Sequence, residues 1–105
     1  MKWEAEMSST IEFVELYNRS SGGTIRDYGL RTIYINPDHV VSLVEDMRSS
    51  QLLQEGSLPE NLDSRQQFTS ISLDVGAAGN SIVVVGPVRE IHSKLYENRK
   101  KLLRG

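Results

Sequence analysis

From Thr69 onward, the stretch Phe68-Thr69-Ser70-Ile71-Ser72-Leu73-Asp74-Val75 alternates without a break. Thr69, Ile71, Leu73 and Val75 fall on one side at period two, and Ser70, Ser72 and Asp74 on the other. That pattern predicts a half-buried strand, because successive side chains of an extended chain point to opposite faces. The turn formers Gly76-Ala77-Ala78-Gly79-Asn80 follow and lead into Ser81-Ile82-Val83-Val84-Val85, whose apolar run predicts a strand covered on both faces. This hairpin is expected at the centre of a sheet.

Upstream, Thr10 to Asn18 is rich in β-branched and aromatic residues, with Ile11, Phe13 and Tyr17 on one side and Val14 and Leu16 on the other. Ser20-Ser21-Gly22-Gly23 and Arg26-Asp27-Tyr28-Gly29 read as a long hairpin tip before a second strand over Leu30 to Ile35. Pro37 ends that strand, since proline has no ladder donor and holds Asn36 extended. Val40 to Asp46 follows as another strand, with Val40, Ser42 and Val44 expected on one face and Val41, Leu43 and Glu45 on the other.

Residues 47–67 read as a long excursion that either binds something or has no role, with a short helix over Arg48 to Gln54 able to seat Leu52 and Leu53 on the body. After the last strand, Gly86-Pro87 is placed to open a helix in whose first turn proline loses no hydrogen bond. Val88, Ile91, Leu95 and Leu102 form its apolar stripe. Residues 1–9 read as a flexible arm. The whole is one α+β domain over residues 1–105, with about five mostly antiparallel strands in a small sheet or barrel and one C-terminal helix.

Bulk composition narrows the function. A chain of 105 residues supports one core. Twelve basic against fourteen acidic residues leave a net charge of -2, which argues against the broad positive field of a nucleic-acid binder. The absence of cysteine removes disulfides, thiolate nucleophiles and thiolate metal sites. No stretch approaches the ~20 apolar residues of a membrane span, and a cytoplasmic location is expected.

Candidate chemical groups are sparse. Asp38-His39 is the only adjacent acid and imidazole, and a structural hydrogen bond is the favoured role because no nucleophile accompanies it. Glu12, Glu15, Glu45 and Asp46 are expected on solvated faces rather than in a two-acid site. The turn at Gly76 to Asn80 lacks the lysine and following helix of a phosphate loop. No catalytic residue, cofactor or metal site is expected.

The order of elements, with Tyr34-Ile35-Asn36-Pro37-Asp38-His39-Val40 and then Thr69-Ser70-Ile71-Ser72-Leu73, a glycine turn, an apolar strand and a helix, resembles the FlbD-like (SwrD-like) small flagellar proteins. The resemblance implies a short strand-rich, non-catalytic domain acting through protein contacts. No functional residues transfer with it.

The expected function is therefore a protein-interaction or assembly module, using a sheet edge, the excursion or self-association. The alternative is a small-barrel nucleic-acid binder with Tyr28 and Tyr34 as stacking groups and Arg26, Arg31 and the basic tail as phosphate contacts. Candidate partner contacts are Tyr28, Arg31, Tyr34, Leu52, Leu53, Arg99, Lys100, Lys101 and Arg104.

Overall fold

Five antiparallel strands form one sheet, and helices lie against it. A computed structural model describes residues 10–20, 27–74 and 80–104, with side chains through Glu97. In chain order the elements are β1 (Ile11–Asn18), β2 (Tyr28–Ile35), a 3-10 turn (Pro37–His39), β3 (Val40–Glu45), α1 (Met47–Gln54), β4 (Phe68–Leu73), β5 (Asn80–Val85) and α2 (Val88–Arg104). The arm at 1–9, the hairpin tip at 21–26 and the turn at 75–79 lie outside the described residues.

The strand order is β2-β1-β5-β4-β3. β5 is therefore central, with its apolar run covered on both faces as its composition required. β2 and β3 are the two edges, and no ladder joins them, so the sheet stays open rather than closing into a barrel.

The connection from Ile35 to Val40 forces this sheet to coil. Outer strands of a flat five-stranded sheet would stand about 19 Å apart. Five virtual bonds reach at most about 18 Å, and β2 and β3 run in the same direction, so their joined ends would also lie at opposite ends of the sheet. Coiling brings them together, and Ile35 and Val40 share one apolar cluster. At this corner Asn36 caps the turn, accepting the N–H of Asp38 through Oδ1 at 3.0 Å, and Pro37 takes the first position.

On one face of the sheet, Ile11, Phe13, Ile35, Ile71 and Val84 pack with Ile91 and Leu95 of α2. Val88 is half-buried, and the side chain of Leu102 lies outside the described residues. Pro87 stands just before the helix instead of inside it, and its carbonyl accepts the N–H of Ile91 at 3.1 Å. Lys94 ties α2 to β1, donating from Nζ to the Glu12 carbonyl at 2.7 Å and lying 4.9 Å from the centre of the Phe13 ring. Continuing the β1–β5 register would set Glu12 opposite Pro87, which has no N–H to offer. Lys94 supplies the donor instead.

The opposite face carries a second cluster of Leu16, Leu52, Leu58 and Phe68, with Leu30, Leu53, Leu62, Val83 and Val85 against it. The excursion has a structural role: residues 47–67 form the lid of the second face. α1 seats Leu52 on the sheet, and the chain beyond it adds Leu58 and Leu62. Full burial of such a side chain is worth about 1.5–3 kcal/mol.

Two expectations are corrected. β3 does not alternate regularly: Val40 pairs with Leu73 and Ser42 with Ser72, so Val41 is an extra residue and the register shifts there. Val40 and Leu43 consequently both pack on the α2 side. Glu15 is not on a solvated face either. It is 7% exposed, and its carboxylate accepts from Arg31 Nε at 2.7 Å across the β1–β2 pair.

Candidate protein-interaction edge

The outer edge of β3 follows from the pairing on its inner side. Asp46 donates its N–H to the Phe68 carbonyl at 2.9 Å. In an antiparallel ladder the backbone groups of alternate residues point to the same neighbour. Val44 and Ser42 therefore face β4, and the N–H and C=O groups of Leu43 and Glu45 point away from it. The bulge at Val41 disturbs the strand on the side nearer the 3-10 turn and leaves Ser42 to Glu45 regular.

Beside this edge runs a groove of about 420 Å³ between β3 and α2. Val40, Val41, Ser42 and Leu43 line its strand side, and Val88, His92, Leu95 and Tyr96 its helix side. The His92 and Tyr96 rings stack with centroids 6.2 Å apart and planes 6° from parallel. Val41 is 66% exposed, Val44 60%, Met47 60% and Tyr96 57%. Large apolar side chains thus collect in water around one sheet edge, where burying them would be favourable.

His39 Nδ1 lies 3.0 Å from Asp74 Oδ1, and both side chains are about half exposed, so the imidazole engages a residue across the sheet rather than its neighbour Asp38. Among the described residues no three metal-ligating side chains converge. Among them, too, no helix is long and apolar enough to cross a membrane.

The residues singled out from the sequence are scattered. Leu52 is buried and Leu53 half-buried in the second cluster, so they hold the lid down and present little surface to a partner. Tyr28 packs beside them, and its carbonyl accepts from Arg19 Nη2 at 3.2 Å. Tyr34 is exposed on the same face as Tyr28, with its hydroxyl 3.5 Å from Glu12. Arg31 sits on the opposite face, 4.1 Å from the centre of the Tyr17 ring and paired with Glu15, whose carboxylate raises its already high pKa. Tyr28 and Tyr34 thus share one face, and Arg31, paired with Glu15, lies on the other, while Arg26 falls outside the described residues. Arg99, Lys100, Lys101 and Arg104 belong to α2, and their side chains lie outside the described residues.

Val41, Val44, His92 and Tyr96, which make the edge and groove, were not among the candidates. A signal existed for Tyr96, an aromatic residue off the apolar stripe of an amphipathic helix. Val41 and Val44 give none, because an edge valine and a core valine look alike in a strand.

No protein family model, curated protein or solved structure matches the chain.

Proposed function

We propose that this protein is a non-catalytic protein-interaction module whose β3 edge and adjoining groove receive an extended segment of a protein partner. The observation that carries the reading is the outward backbone of Leu43 and Glu45 beside the exposed side chains of Val41 and Val44. An added strand would meet the backbone groups with its own ladder and lay alternate side chains into the groove, the mode of recognition in which main-chain bonds provide affinity and pockets provide specificity. A cytoplasmic setting is part of the proposal and is supported by sequence alone.

Glu45→Pro tests it. Because the Glu45 N–H points outward, proline there removes no bond to β4 and restricts Val44 only to the extended conformation it already has. Peptides selected from a random display library against the intact chain should bind extended and lose binding to Glu45→Pro, while the circular dichroism of the variant stays unchanged. Selected peptides that bind Glu45→Pro and Val44→Lys as well as the parent would overturn the reading.

A further inference from the structure

We infer that the groove between β3 and α2 is covered, in the absence of a partner, by residues 3–7 of this chain's own N-terminal arm, with the Trp3 indole seated in it. Resting on the edge reading above, this makes the arm an internal competitor that an incoming segment has to displace. The arm has the pattern such a role needs. In Trp3-Glu4-Ala5-Glu6-Met7, an extended backbone puts Trp3, Ala5 and Met7 on one side and Glu4 and Glu6 on the other. One side is apolar throughout and the other wholly acidic, which suits a segment laid on an apolar surface with its carboxylates in water.

The arm is also rooted beside the groove. Ile11 pairs with Ile35, and continuing that register sets Thr10 opposite Asn36, the neighbour of Pro37, which lines the groove. At the far end of β3, Glu45 and Val88 border a common hollow, so the groove runs from Pro37 and Tyr96 toward Val88. Val88 and Tyr96 are eight positions apart on α2, about 12 Å along the helix. From Thr10 to Trp3 is seven positions, which reach at most about 25 Å. The indole can therefore arrive anywhere along the groove, with Ser8 and Ser9 to turn the corner. There the stacked rings of His92 and Tyr96 offer an aromatic surface, and the exposed side chains of Val41 and Tyr96 leave water beneath it. A tethered segment acts at an effective concentration on the order of millimolar, so a few apolar contacts suffice to hold it.

Trp3 is the only tryptophan, and its fluorescence reports the arm directly. In the intact chain its emission should lie to the blue of that in concentrated urea and resist quenching by acrylamide. Val41→Lys, at an exposed edge position, should shift the emission to the red and restore quenching while circular dichroism stays unchanged. A peptide selected against the intact chain should cause the same red shift on binding, and Trp3→Ala should bind that peptide several-fold more tightly. A solvated indole in the native chain overturns the inference, and so does a buried one unmoved by Val41→Lys. Peptides lost on Glu45→Pro but bound equally by the parent and Trp3→Ala leave the edge reading standing and remove the arm as competitor. An indole expelled by Val41→Lys when no peptide depends on Glu45 keeps the arm in the groove and overturns the edge reading.

Discussion

Thr69 donates its hydroxyl to the carbonyl of Gly86 at 2.8 Å, and both residues are buried. The bond joins β4 to the point where β5 turns into α2. Gly86 has φ +131, a conformation that L side chains rarely adopt, and donates its own N–H to the Gln67 carbonyl at 2.8 Å. A Cβ there would stand 3.0 Å from Ile91 Cδ1. Gly86→Ala should cost about 1–3 kcal/mol through backbone strain alone. Thr69→Val, which leaves the carbonyl without its donor, should cost about 1–3 kcal/mol. Urea unfolding of both variants checks this, with Thr69→Ser expected to retain most of the stability.

Leu52 and Leu58 hold the lid on the second face, so Leu52→Ala and Leu58→Ala should each cost about 2–5 kcal/mol. Removing residues 48–67 should leave Leu16, Phe68 and Val83 in water and give a chain that aggregates or fails to show a cooperative thermal transition.

Glu15 is buried beneath Arg31, whose Nε reaches it at 2.7 Å while the guanidinium covers Tyr17. Arg31→Met should lower the melting temperature by stranding the carboxylate, and Arg31→Lys should recover only part, because an ammonium lacks the planar group that lies over the ring. Adding Glu15→Gln to Arg31→Met should restore stability relative to the single variant. Thermal melts of all four proteins at one pH decide it.

Asp63 accepts the Arg65 backbone N–H at 2.8 Å and its Nε at 3.4 Å, and these bonds hold the Asp63 carboxyl below its usual value of about 3.9. With the folded value depressed, its contribution is present above the unfolded value and is lost as pH falls through the folded one. The destabilisation caused by Asp63→Ala should be present at neutral pH and shrink on acidification below about pH 4. A difference that stays constant over that range would contradict it.

Amide exchange reads the β3 edge directly. The N–H groups of Ser42 and Val44 face β4 and should exchange slowly at any protein concentration. Those of Leu43 and Glu45 point outward and should exchange fast, slowing when a selected peptide is bound.

Much of the fold was legible because strand and turn chemistry are local. The alternation after Thr69 and the proline at Pro37 predicted their elements from neighbours a few residues away. The edge was not legible. Val41 is exposed by a bulge that depends on the register with β4, and Glu15 is buried because Arg31 lies opposite it, sixteen residues along the chain.

By itself, the sequence determined that this protein would be five strands with a C-terminal helix, since period-two alternation and helical stripes are properties of single segments. Only the tertiary structure decided that β1 inserts beside β5, that residues 47–67 roof the second face, and that β3 is left with an outer edge. Each of these depends on which distant segments meet. Apolar burial sets that choice over the whole chain, with no preference written into any one stretch.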